Sequence, residues 1–240
     1  MRIRKLSINS EIKCLIRSQQ TWAAAAQAGH FADEIGPVTL KTRKGEVEFA
    51  LDEHPKPKTT IEQLAKLPTV FKKGGVVTPG SASGICDGAA AVILASEDAV
   101  SKHGLTPLAR IVGYGVAGCE PTIMGIGPVP AIGAMLEKTG VSLGEVDQVE
   151  INEAFAAQAL SCQKALDIPM EKFNTCGGAV APVTAGGGRR GAIFGACVFY
   201  KCLRCDMSCR AHQRCRERCV SIRCAHQWCV KVCDRGFVHI

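Results

Sequence analysis

The run "VEINEAFAAQAL", residues 149–160, sets an asparagine and a glutamate between an apolar strand-like stretch and a helix-like one. Polar groups at the carboxyl end of a strand are where α/β folds build their sites. Asn152 has a donor and an acceptor on one side chain, so it can hold a water or a carbonyl oxygen. The same position also suits a helix N-cap, which is the plain structural alternative. A second stretch, "NTCGGAVAPVTAGGGRR" at 174–190, opens as a tight glycine turn. Asn174, Gly177 and Gly178 there suggest backbone N–H groups brought close to a ligand. A third group is in the tail. Cys202, Cys205, Cys209 and His212 have the spacing C-x2-C-x3-C-x2-H, followed by Cys215, Cys219, Cys224, His226, Cys229 and Cys233. Thiolates and imidazoles so spaced can bind zinc, and a fusion with a basic zinc-binding tail is one reading of the chain. Against it, there is a single C-x2-C pair and few apolar residues to build a small core. The tail reads better as out-of-frame or spliced-in sequence, and no metal site is expected.

Composition separates this tail from the rest. Of the net charge of +7, residues 197–240 carry +6, with nine Lys/Arg against three Asp/Glu. They also hold nine of the fourteen cysteines. The basic balance therefore belongs to the tail, and no nucleic-acid partner is expected of the main body. The other five cysteines are scattered singly, as thiols in intracellular proteins are. The longest apolar run, "AAAVILA" at 89–95, is far short of a membrane span and reads as a buried strand. The first 17 residues, with five Lys/Arg and one Glu, read as a basic surface segment or a non-native start with weak transit-peptide character.

Between these ends, local signals lay out alternating elements. "TTIEQLAKLP" is a short helix with a capping box at Thr60 and Gln63, ended by Pro68. "FKKGGVVTPGSASG" is a glycine-rich connector. "SEDAVSKHG" is a helix capped by Ser96 and stopped by Gly104. "LARIVGYGVAG" reads as an apolar strand, and "PAIGAMLEKTG" as a helix started by Pro130 and stopped by Gly140. Ser142 and Glu145 cap a short turn, "VDQVEI" is a strand, and "NEAFAAQALSCQKAL" is a helix of small residues. Strands alternating with helices argue for a layered α/β fold.

Four stretches in order, "SASGICDGAAA", "PLARIVGYGVAGCEPTIMGIGPVPAI", "VEINEAFAAQAL" and "NTCGGAVA", resemble the C-terminal half of the thiolase family. "LDEHPKPKTTIEQLAKLPTVFKKGG" is similar to the mitochondrial 3-ketoacyl-CoA branch. The resemblance runs from about Ser18 to Ala181. It implies a five-layered αβαβα fold of two similar halves with an inserted loop domain, here incomplete. Residues 1–17 would be a non-matching segment and 18–78 the end of the loop domain. Residues 79–105 would close the first half, 106–190 would be an incomplete second half, and 191–240 a Cys/Arg-rich tail.

The resemblance also implies a reaction, thiolytic cleavage of a 3-ketoacyl-CoA to acetyl-CoA and a shortened acyl-CoA. Acyl-CoA and CoA would be the small-molecule partners, with no separate cofactor. A homo-oligomer and a mitochondrial location are implied in the same way. Carried over by position, Asn152 would hold the water of one oxyanion site. Ala154, Phe155 and Met124 would wall the acyl and pantetheine end, with Ser83 and Pro79 beside the pantetheine arm. Lys56, Gln63 and Phe71 would be near the adenine and phosphate end. The departures matter equally. The family's activating histidine falls on Thr184, and a hydroxyl cannot take a proton near neutral pH as imidazole does. No cysteine here occupies the motif of the family's nucleophile, and the family's closing "CxGGG" is absent. Val-Thr is encoded GTN-ACN, which in a shifted frame after a G can read GGT-CAC, Gly-His. That is the motivation for reading the chain from Pro182 onward as out of frame, and for expecting it to be inactive alone. A catalytically dead protein that binds CoA or pairs with thiolase subunits is the alternative.

Overall fold

A computed structural model describes residues 8–84, 93–180 and 197–200. It begins with α1, Ile8–Gln27, a helix of 20 residues. Ile12, Cys14, Leu15 and Ala25 are buried along it, together with Glu11, Ser18 and Gln19, so one face of the helix looks inward although three of its buried residues are polar. Gly29, at φ +72°, lets the chain turn away, and Trp22 then stacks on Phe31 with ring centroids 6.4 Å apart. The helix runs unbroken through residue 17, and the segment is not simply a surface one: Glu11, Ile12, Cys14 and Leu15 are buried while Lys13 is exposed.

An antiparallel hairpin follows, β1 (Val38–Thr42) and β2 (Gly45–Phe49), in register from Val38 opposite Phe49 to Thr42 opposite Gly45. All ten residues are exposed. Helix α2, Ile61–Ala65, carries the capping box of Thr60 and Gln63, and α3, Glu97–His103, is capped by Ser96 and ended by Gly104 at φ +61°. Helix α4, Pro128–Thr139, starts two residues before the expected Pro130, because Pro128 also suits the first helical turn. Strand β3, Gln148–Ile151, alternates half-buried and buried residues, and pairs antiparallel with β4, Cys197–Tyr200. Helix α5, Ala156–Ala165, begins four residues later than the sequence pattern suggested.

Two expected strands differ. From Leu105 to Glu120 burial alternates residue by residue, which is a strand's period, yet only Ile111 makes a bridge. A strand is completed by a neighbour, and "LARIVGYGVAG" has no ladder among the described residues. Most of "AAAVILA" lies outside the described residues, but Ile93 and Leu94 are exposed, not buried. The tail's cysteine and histidine pattern lies outside them as well. Among the described residues no helix is long and apolar enough to cross a membrane.

The core has two parts. One packs Ile132 and Met135 of α4, Val149 and Ile151 of β3 and Ala159 and Cys162 of α5 around Ile168 and Phe173. The other joins Ile12 and Leu15 of α1, Leu64 of α2, Ala156 of α5 and Val180. Buried Ser18, Glu153 and Asn174 form a polar seam that links α1 of the second part to the end of β3 and to Phe173 of the first.

Candidate functional site

Asn152 follows the last residue of β3 and is exposed, while Glu153 beside it is buried. The helix-cap alternative for Asn152 fails, because Phe155 is the residue that caps α5. Both neighbours of Asn152 are anchored. Ile151 N–H donates to Asn174 Oδ1 at 2.8 Å, and Asn174 Nδ2 donates to Ile151 O at 2.9 Å. The Asn174 amide thus completes the edge of β3 as a residue of another strand would, and it is itself fully buried at φ +45°. Glu153 accepts from Ser18 Oγ at 2.8 Å, from Asn174 Nδ2 at 3.0 Å and from Val180 N–H at 3.3 Å. Burial raises the Glu153 pKa, and the three donors together with the Arg17 charge oppose that rise.

The glycine turn does not offer its N–H groups to a ligand as expected. Gly177 N–H donates to Asn174 O and Gly178 N–H to Ser18 Oγ. The glycines answer a different need. A Cβ on Gly177 would lie 2.6 Å from Ser18 O, and one on Gly178 would lie 2.1 Å from Glu153 Cδ. Close approach of α1 and of a buried carboxyl fixes these positions. Thr184 lies outside the described residues.

Several of the other candidates form one wall. Ser83 N–H and Oγ both donate to Ala154 O, at 3.0 and 3.2 Å, and Ala156 N–H donates to Ser81 O. Phe71 meets Phe155 edge-on, with centroids 6.4 Å apart, and is 76% exposed. His54 packs against Gly84, where a Cβ would lie 2.5 Å from its ring, and so brings the Lys56 loop up to Ser83. Lys56 is exposed, and its N–H donates to Gln19 Oε1 while Gln19 Nε2 donates to Val180 O. Burial and then the Lys56 charge lower the His54 pKa. Pro79 is exposed next to Gly80, which packs on Leu64 and Leu67. Gln63 is less available, since its Oε1 accepts from Thr60 N–H in the α2 cap. Met124, 44% exposed, is carried on a 3-10 turn, Pro121–Ile126, whose Gly125 rests on Gln158 of α5.

Two family models match this chain: "Thiolase, N-terminal domain" over residues 8–98 and "Thiolase, C-terminal domain" over residues 105–194. The chain belongs to the thiolase family. It is 60% identical over 166 residues to the mitochondrial 3-ketoacyl-CoA thiolase of Mus musculus, covering 69% of this chain and 42% of that one. A crystal structure of human mitochondrial 3-ketoacyl-CoA thiolase superposes with a TM-score of 0.69 at 50% identity, over 76% of this chain and 47% of that one. A crystal structure of the human enzyme in complex with CoA gives 0.67 at 49% identity, over 76% and 46%. The fold is therefore part of the layered thiolase fold, and the chain spans less than half the length of these thiolases. The family match begins at residue 8, inside α1, rather than at Ser18. That extension adds residues 8–17, with buried Glu11, Ile12, Cys14 and Leu15. Ser18 and Gln19, already inside the resembling stretch, were not among the candidate site residues, and neither was Glu153. The available signal was polar residues set in the buried stripe of α1.

Proposed function

We propose that this chain binds the pantetheine and nucleotide arms of a CoA thioester along the wall of Phe71, Ser83, Ala154 and Phe155. The wider role is that of a 3-ketoacyl-CoA thiolase of fatty-acid β-oxidation. The observation that carries the reading is the pair of hydrogen bonds from Ser83 N–H and Oγ to Ala154 O, which sets side by side two stretches that the family resemblance assigns to the pantetheine arm. Pantetheine alternates amides with methylenes, so it needs backbone polar groups interleaved with apolar faces, and Phe71 and Phe155 supply the faces. Lys56 supplies a cation for phosphate. Met124 bounds the acyl end, Pro79 the rim, and Gln63 the adenine end through its remaining amide donors.

In the reaction served, a cysteine thiolate, whose motif this chain lacks, would attack the keto carbon. The C–C bond would break to expel the acetyl-CoA enolate, which takes a proton from an acid, and the thiol of free CoA, giving its proton to a base, would take the acyl group from the cysteine sulfur. Asn152 holds the water lining one oxyanion site. With Thr184 at the place of the histidine, this chain binds without turning over. A homo-oligomer and a mitochondrial location belong to the same reading.

Calorimetric titration with CoA, alongside a thiolysis assay on a 3-ketoacyl-CoA, tests it. The expected result is saturable binding that weakens with salt, and that falls roughly tenfold in Phe71→Ala or Lys56→Ala. No heat of binding at millimolar CoA would sink the binding claim. Thiolysis above background would sink the claim of no turnover.

A further inference from the structure

We propose that Glu153 is a positioning residue: its buried carboxyl clamps α1, the β3–α5 junction and the loop 174–180 together, and so fixes Asn152 and the loop backbone against the thioester. The last clause rests on the CoA-binding reading above; the clamp itself does not.

Three separate segments meet on this one group. Ser18 comes from α1, Asn174 and Val180 from the loop, and Glu153 from the junction that leads into α5. Ser18 Oγ doubles the link, since it also accepts from Gly178 N–H at 2.9 Å. Asn174 doubles it again by holding both backbone groups of Ile151. Asn152 therefore has one neighbour tied through its backbone and the other through its side chain, while its own amide stays exposed. Gly178 seals the arrangement, because only a hydrogen leaves room for the carboxyl. All three donors point at the carboxyl oxygens, so a side-chain amide, with two hydrogens on one side, cannot satisfy them all. Burying a carboxyl is unfavourable, and a group serving packing alone would be apolar.

The charges that act on Glu153 are few. The Arg17 charge on α1 lowers the Glu153 pKa, and its guanidinium donates to Met170 O and Phe173 O. Cys14 on α1 is pushed up to about 12, so it does not titrate between acidic and neutral pH. Glu11, which acts on Cys14, does titrate there, and a variant that keeps Glu11 separates the two.

The test compares wild type with Glu153→Gln and with the milder Ser18→Ala, which keeps the carboxyl. It reads amide exchange at Gly178 and Val180 against amides of α5, as a function of pH, and CoA affinity by calorimetry. The expected result for Glu153→Gln is unchanged α5 protection, exchange at Val180 faster by roughly tenfold, and CoA binding weakened by a similar factor. Beyond the intrinsic chemistry, wild-type exchange at Val180 should show a pH step that Glu153→Gln lacks. Ser18→Ala should speed exchange at Gly178 alone. Unchanged exchange in Glu153→Gln overturns the clamp. Faster exchange with unchanged CoA affinity overturns the positioning role. If wild type binds no CoA, the function reading fails and the exchange arm still decides the clamp.

Discussion

Asn174 carries a structural burden that can be worked through atom by atom. Its side chain satisfies the N–H and the C=O of Ile151 at 2.8 and 2.9 Å, and its own N–H donates to Val149 O at 3.0 Å. Replacing it with Ala keeps the last bond and removes the first two, together with the bond from its Nδ2 to Glu153 Oε1. Each orphaned buried backbone group costs about 1–3 kcal/mol, so the pair costs about 2–6 kcal/mol. The residue is also in the left-handed region at φ +45°, where a Cβ adds about 1 kcal/mol that glycine avoids. Asn174→Ala should therefore be the worse substitution, with Asn174→Gly about 1 kcal/mol milder. Asn174→Asp should behave differently again. It retains an acceptor for Ile151 N–H but turns an oxygen toward Ile151 O and toward the Glu153 carboxyl, both acceptors. Urea unfolding followed by circular dichroism, at fixed transition slope, gives the differences directly. A loss below about 1 kcal/mol in Asn174→Ala, or equal losses for Ala and Gly, would refute the account of Asn174 as a strand-edge mimic in a left-handed turn.

Three further outcomes are expected. Gly177→Ala forces a Cβ onto Ser18 O and Trp22 N at φ +80°, where only backbone could give way, and should cost about 2–4 kcal/mol, whereas the open Gly144→Ala should stay within about 0.5 kcal/mol; thermal unfolding checks both. Buried Glu11 has one oxygen without a partner among the described residues and a pKa pushed up to about 7. Its folded value lies above the ordinary 4.5, so its contribution is full below about 4.5 and is lost as pH rises through about 7; Glu11→Gln should flatten that part of a stability–pH curve. Iodoacetamide mapping on the native chain should label the partly exposed Cys119 and Cys176 and spare Cys14 and Cys162, whose thiols burial pushes up to about 12 and 11; labelling of either buried thiol at the rate of Cys119 would count against the packing of α1 or α5.

What the sequence disclosed follows the range of the interaction. The caps at Thr60, Ser96 and Ser142 and the stops at Gly104 and Gly140 are contacts within a few residues, and they were legible as spacing. Helix α1 was not, because Glu11, Ser18 and Gln19 break its apolar stripe, and the reason they do so lies more than a hundred residues away for Ser18 and Gln19. The hairpin was missed since no residue of it is buried and its turn, Arg43-Lys44, lacks an Asn-Gly signal. "LARIVGYGVAG" was over-read for the converse reason: its alternation is real, but a ladder needs a partner the segment cannot specify. At the candidate site, Asn152, Ser83, Ala154, Phe155 and Phe71 were proposed through family resemblance. The clamp of Ser18, Glu153 and Asn174 was not, as no single stretch holds more than one of its members.

Binding and stability are tied together here by geometry. Ile151 belongs to the core through its side chain and to the site through its backbone. Phe173, fully buried in the same cluster, precedes Asn174, and Ala156 packs with α1 while its N–H donates to Ser81 O under the wall. Phe71 and Met124 by contrast stand exposed on that frame. Truncating an exposed wall residue should therefore alter affinity at nearly constant stability. A change in the seam should move both, and in a fixed order: residues 177–180, beyond the Asn174 anchor on β3, loosen first, since their polar hold on the rest passes through Ser18, Gln19 and Glu153 rather than through a ladder. A polar seam of this kind gives one loop arrangement its advantage over the others, at the expense of stability that an apolar seam would have provided. That exchange fits the proposed CoA-binding surface, which would have to hold its ligand in one place.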